Sequence, residues 1–162
     1  MKPLRRSFDL AFRSSDEIRS AQGKLLAEHL LQCRKSPFYR KRLAGAVSPS
    51  LKRFPLDALR DLPLTTKADL EAQNDDFLAV PAQAIRDIVQ SSGTTGRPTR
   101  VMYTARDLER LAYNEAVCFK GCGMGPGDRV LLTCTLDRCF VAGYAYHLGA
   151  QAVGACTIRS GL

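Results

Sequence analysis

Between residues 91 and 99 the chain reads Ser91-Ser92-Gly93-Thr94-Thr95-Gly96-Arg97-Pro98-Thr99. Hydroxyls, two glycines and a cation in one turn make a cradle for phosphate. The glycines let backbone N–H groups approach an anion closely, the hydroxyls donate further hydrogen bonds, and Arg97 offers a forked charged donor. The string is not the usual mononucleotide loop. That pattern needs Gly-Lys-Ser/Thr starting five residues after its first glycine, where Pro98 stands, and a helix after it, where a strand pattern follows. Nor is it a dinucleotide fingerprint. An ordinary hairpin turn needs one or two turn formers, not the whole string.

The flanking sequence must hold that loop in place. Residues 88–91 read as a short strand and 99–104 as a second one, antiparallel to it. Thr104 can cap a helix over about 105–121, with Leu108, Leu111, Ala112, Ala116 and Phe119 along one face. Gly123-Met124-Gly125-Pro126-Gly127-Asp128 breaks the chain. An apolar strand at 129–134, a helix at 140–152 closed by Gly154, and a strand at 155–158 then make one βαβ unit, expected to be right-handed. Upstream, Ser14 and Ser15 can cap a helix over about 16–35 whose apolar face carries Ile18, Ala21, Leu25, Leu26, Leu30 and Cys33, with Pro37 as its stop. Residues 36–62 read as short helical pieces broken by Pro49 and Pro55, and Thr66 can cap a further helix with Asp69 three residues on. The expected fold class is α/β: a helical segment over 1–85, then a β-hairpin loop at 91–99 and a βαβ unit at 129–159.

Other chemistry is sparse. Phe140, Tyr144 and His147 share a helical face, a spacing that serves either a pocket wall or core packing. Cys33, Cys118, Cys122, Cys134, Cys139 and Cys156 match no zinc or iron–sulfur spacing, and His29 and His147 are isolated in sequence, so no metal site is expected. Cys134 and Cys156, in apolar strands, read as small buried hydrophobes, and reduced thiols are the default.

The formal net charge is 24 − 16 = +8, with 14 Lys+Arg against 5 Asp+Glu in residues 1–60 and 10 against 11 in the remainder. A basic first third suits a polyanion or a solvated face. No nucleic-acid reader motif and no basic run interleaved with stacking aromatics accompanies it, so no nucleic-acid partner is expected. No apolar run approaches the ~18 residues of a membrane span. Arg5-Arg6 is followed by Asp9, Arg13, Asp16 and Glu17 instead of an apolar export signal. The expectation is a cytoplasmic protein without a membrane partner.

The string at 91–99 resembles the phosphate loop of the adenylate-forming superfamily: acyl-CoA synthetases, luciferases and peptide-synthetase adenylation domains. More narrowly, the chain is similar to the phenylacetate–CoA ligase branch. Ser36-Pro37-Phe38-Tyr39-Arg40, the run Leu62-Pro63-Leu64-Thr65-Thr66-Lys67-Ala68-Asp69-Leu70, Tyr103-Thr104, Pro126-Gly127-Asp128 and His147-Leu148-Gly149-Ala150 carry that likeness, over roughly residues 30–160. The resemblance implies that 86–162 is the first part of an AMP-binding domain. It implies ATP, Mg²⁺ and coenzyme A as cofactors and a small carboxylic acid as partner: the acid attacks the α-phosphate, and the thiol then displaces AMP. Ser91, Ser92, Thr94, Thr95 and Thr99, with the amides of Gly93 and Gly96, would hold the β- and γ-phosphates, and Arg97 stands where many relatives have lysine. Phe140 keeps an aromatic of the family's acyl pocket, to which Tyr144 and His147 would add. Asp137 and Arg138 replace residues expected to be small or aromatic, which points to a polar, larger or differently placed acid.

The family's Tyr-Gly-x-Thr-Glu and Thr-Gly-Asp motifs do not occur in these residues, so the expectation is an N-terminal fragment without the C-terminal lid, inactive alone, with no catalytic residue identifiable in it. An acyl-protein synthetase or an adenylyl transferase acting on a cofactor would keep the chemistry and change the acceptor. A non-catalytic remnant acting as a binding or dimerisation module would keep only the fold, its open apolar sheet edge favouring a homodimer.

Overall fold

A computed structural model describes residues 8–91, 98–136 and 139–161. Its described residues divide into two compact units, the first made of 9–83 with 98–99 and the second of residue 8, 84–91 and 100–161.

The first unit is helical. Helix α1, Ser15–Cys33, starts at Ser14, whose hydroxyl accepts from the Glu17 amide while the Glu17 carboxylate reaches back to the Ser14 amide. That reciprocal box satisfies two N–H groups that helix geometry leaves without partners. Gly23, Ala27 and Leu30 are its buried face, packed with Leu43, Val47 and Phe54. The returning chain is fixed there by Phe54 N–H donating to Gly23 O (2.9 Å) and Arg34 Nη1 donating to Val47 O (2.7 Å). Leu25 points to solvent at 49% exposure, because the buried stripe centres on Gly23, where a Cβ would sit tightly, 3.1 Å from the Phe54 carbonyl oxygen.

Helix α1 ends at Cys33, ahead of Pro37, and Pro37 also opens the next helix. It is the first residue of α2, Pro37–Arg42, capped by Ser36, a position where the missing N–H of proline is harmless. Helix α3, Lys67–Gln73, begins with the expected Thr66–Asp69 box. Phe38, Tyr39 and Phe77 form an aromatic cluster, with Phe38 and Phe77 stacked at 4.0 Å. Arg42 lies 4.5 Å over the Phe38 ring and 3.2 Å from Asp69 Oδ1, tying α2 to α3.

Among the described residues the second unit holds two two-stranded sheets and two α-helices. Strands β1, Ile85–Gln90, and β2, Arg100–Thr104, pair antiparallel from Ile85↔Thr104 to Gln90↔Arg100, with a bulge between Ile85 and Asp87. Helix α4, Ala105–Gly121, follows from Thr104, which forms a capping box with Asp107. Strand β3, Arg129–Leu132, leads through α5, Val141–Ala152, to β4, Cys156–Arg159, parallel to β3 in the register Arg129↔Cys156 to Leu132↔Arg159. The chain leaves α5 through Gly154, whose φ of +84° is a left-handed conformation that a side chain disfavours.

The two helices meet through small residues. Ala116, Ala145 and Ala150 are buried, and a Cβ on Gly149 would overlap that of Glu115. Phe119 and Tyr146 extend the contact with ring centroids 6.3 Å apart. At the other end of α5, a Cβ on Gly143 would collide with the Thr135 carbonyl, so the helix start lies directly on the segment that follows β3.

Candidate functional site

The Gln90↔Arg100 pair closes the hairpin, so residues 91–99 are its connection. Ser92, Gly93, Thr94, Thr95, Gly96 and Arg97 lie outside the described residues, as do Asp137 and Arg138. Of the rest of the string, Ser91 and Pro98 are exposed and Thr99 is buried.

Beside this hairpin the second unit has an open cleft of about 410 Å³, lined by β1, α4 and the segment from β3 into α5. That volume falls within the ~300–1,000 Å³ of small-molecule sites. Leu108, Leu136, Phe140 and Tyr144 line it together with Ile88 and Val89, and Arg86, Asp87 and Cys139 complete the lining. The segment from β3 is held to β1 by the Gln90 amide, which donates to Cys139 O at 3.1 Å. Cys139 makes that bond with φ at +58°, a left-handed conformation costing a non-glycine residue about 1–2 kcal/mol.

Of the three residues whose spacing suits either a pocket wall or core packing, Phe140 and Tyr144 line this cleft and His147 does not. His147 lies further along α5, its Nδ1 2.9 Å from Thr157 Oγ1 on β4. Sequence reasoning missed Asp87 and Arg86. Their one signal, a polar pair inside an apolar strand, means nothing until the bulge and the edge of β1 are known.

Tyr103, opposite Asp87 in the hairpin, has a phenol held above the usual tyrosine range, by burial first and then by the carboxylates of Asp107 and Asp87. It is therefore a neutral hydroxyl through the physiological range, not a base.

All six cysteines are free thiols. Cys33 sits 3.5 Å from His29 Nε2, so His29 is not isolated, but burial pushes the Cys33 thiol up, the opposite of an activated nucleophile. Cys156 is exposed and Cys134 only half-buried beyond the end of β3, correcting the expectation of two buried strand residues. No cluster of histidine, cysteine and carboxylate suited to a metal occurs among the described residues. No helix among them is long and apolar enough to cross a membrane.

No family model matches the chain. Individual proteins do. Phenylacetate-coenzyme A ligase of Escherichia coli (strain K12) is 35% identical over 148 residues, 90% of this chain and 33% of that protein. The phenylacetate-coenzyme A ligase of Thermus thermophilus is 38% identical over 120 residues, 73% of this chain and 26% of its own. Among solved structures, 2-hydroxyisobutyryl-CoA ligase in an open conformation with 2-HIB-AMP and CoA shares the fold with a TM-score of 0.77 at 24% identity, over 91% of this chain and 35% of that one. Its thioesterification-state structure covers 100% of this chain and 38% of its own at a TM-score of 0.72 and 25% identity. The chain thus spans about a third of the length of the curated relatives it matches. In that span it belongs to the adenylate-forming acyl-CoA ligase superfamily, in the phenylacetate–CoA ligase-like branch, and corresponds to the N-terminal portion of the full-length proteins.

Proposed function

We propose that this chain is the phosphate-loop portion of an AMP-forming ligase that activates a small carboxylic acid with ATP and passes the acyl group to coenzyme A. One observation carries the reading: the hydroxyl- and glycine-rich string at 91–99 is the connection of a hairpin whose strand β1 also walls a ligand-sized cleft. Residues 1–85 serve as the helical N-terminal segment and 86–162 as the first part of the AMP-binding domain, with β3, α5 and β4 as its first βαβ unit.

The donor set fits a polyphosphate. Hydroxyls of Ser91, Ser92, Thr94, Thr95 and Thr99 and the amides of Gly93 and Gly96 are neutral donors, and Arg97 adds the charge. Bound ATP, with Mg²⁺ sharing its charge, supplies the electrophilic phosphorus. The loop's part is positioning and electrostatic neutralisation. Phe140 and Tyr144, with Leu108 and Leu136, would take the acyl group and exclude water from it. His147, bonded to Thr157, would steady α5 behind that wall.

The test has two stages. Titration of tripolyphosphate into the chain should give saturable binding that Arg97→Ala and Thr95→Ala each weaken about tenfold or more, the loss of one charge-assisted or hydroxyl contact. Absent binding, or binding indifferent to both changes, would sink the loop assignment. The complete product of the native gene is then assayed for ATP–pyrophosphate exchange across a panel of acids. Trapping the product distinguishes coenzyme A from a protein or another cofactor as acceptor.

A second reading, a binding or dimerisation module, has its own observation. Leu131 and Ile158 pair across the parallel strands and are 59% and 49% exposed. Concentration-dependent dimerisation that Leu131→Lys abolishes would favour it. A monomer at all concentrations would not.

A further inference from the structure

The cleft is not uniformly apolar: among the described residues that line it, one carboxylate stands at a defined place. In β1 the pairing with β2 slips between Ile85 and Asp87, which makes Arg86 the extra residue of a bulge. Bulges re-aim the side chains beside them. Beyond the bulge, the amide of Gln90 points away from β2, because it donates to Cys139 O. Alternate residues of a strand direct their amides to the same edge, so the Ile88 amide points there too. It is taken by the Asp87 carboxylate, with Ile88 N to Oδ1 at 2.9 Å. Asp87 therefore folds over the free edge of its own strand, the edge that meets Cys139 and Phe140 in the cleft wall. Oδ1 is engaged, and Oδ2 has no hydrogen bond among the described residues. Arg86, the other charged lining residue, directs Nη1 to Ile85 O at 3.0 Å.

We infer that Asp87 is a specificity residue of this cleft, and that the preferred acid carries a hydrogen-bond donor, a hydroxyl or an amino group, on its otherwise apolar body. This rests on the reading of the cleft as the acyl site. An apolar wall rejects neither a bare hydrocarbon nor its hydroxylated analogue strongly. A carboxylate with an open lone pair discriminates, because a bare acid leaves that oxygen desolvated and unpaired. The cleft is open to solvent, so the discrimination is moderate, about tenfold.

The experiment is a chemical-shift titration of the whole nitrogen-labelled chain with phenylacetate and with para-hydroxyphenylacetate, followed at the amides of Ile88, Leu108 and Tyr144. Both acids should shift these amides, with the hydroxylated acid about tenfold tighter. Asp87→Ala should bring the two affinities together by weakening only the hydroxylated acid, and Asp87→Asn, which keeps an acceptor oxygen, should restore part of the preference. A merely structural role for Asp87 would weaken both acids alike. Equal affinities in the unaltered chain, or a preference that survives Asp87→Ala, would overturn the inference while leaving the cleft as acyl site. If neither acid moves those amides, the acyl-site reading itself fails and this inference with it.

Discussion

Gly143 offers a sharp test of how the cleft is held. It is the third residue of α5, and a Cβ built there collides with the Thr135 carbonyl, lies 3.0 Å from Thr135 C, and comes within 3.4 Å of Cys134 Sγ. In an unhindered helix Gly→Ala would gain about 1 kcal/mol. Here the obstacle is backbone that cannot rotate away, so overpacking at the upper end of its usual range, about 3 kcal/mol, outweighs that gain. Gly143→Ala should therefore cost about 2 kcal/mol net. At a urea slope of about 2 kcal/mol/M, the unfolding midpoint falls by about 1 M. The chain has no tryptophan, so circular dichroism is the probe. Gly125→Ala is the control in the same unit: a Cβ there meets nothing within 4 Å, and its φ is not in the left-handed region. That change should raise stability by about 0.4–1 kcal/mol. A midpoint for Gly143→Ala that stays put or rises would refute the close seating of α5 on the Thr135 segment. Because Leu136 and Phe140 flank that contact, the same variant should also weaken acid binding in the cleft.

Thr104→Ala should cost about 1 kcal/mol in urea melts, since it removes the acceptor for the Asp107 amide, whereas Thr104→Ser should retain most of it. The Glu17 carboxylate is held below its ordinary range mainly by the Ser14 side chain, and that of Asp69 mainly by the Thr66 amide. Both groups contribute stability that is present above the ordinary carboxylate range and lost as pH falls through their lowered values. Ser14→Ala should flatten the acid limb of a stability–pH curve, and Thr66→Ala, which leaves the Thr66 amide bonded to Asp69, should flatten it less. In an alkylation time course read by peptide mass spectrometry, Cys33 should be modified more slowly than Cys118, Cys122, Cys139 and Cys156, which are exposed. Equal rates would contradict its burial.

The helices were legible because their starts are local. Thr104 with Asp107, Thr66 with Asp69 and Ser14 with Glu17 are boxes closed within four residues, and each marks a helix where the sequence places it. Strand ends depend on distant partners. β1 starts at Ile85, earlier than its own residues suggest, because Thr104 is there to pair with it. β3 stops at Leu132, short of the apolar Cys134, because β4 presents no partner beyond Arg159. Pro37 serves both sides of a break: proline forbids a helix interior, so the first helix is over before it, and suits a first turn, so the Ser36 cap starts the next helix on it.

The same division runs through the site. Phe140 and Tyr144 follow from helical spacing, although Phe140 is the cap residue of α5 and not inside it. His147 satisfies the spacing equally well and yet misses the cleft. Periodicity gives an angle about the axis and says nothing of height: three residues past Tyr144 is about 4.5 Å further along, level with Thr157 rather than Phe140. Asp87 was invisible for a deeper reason. Its position depends on a register slip against β2 and on an amide edge revealed only by the bond from Gln90 to Cys139. A loop that binds by composition can be read from a string of residue types. A pocket that selects by the placement of one carboxylate is a property of strand pairing, and it becomes legible only once the chain has folded.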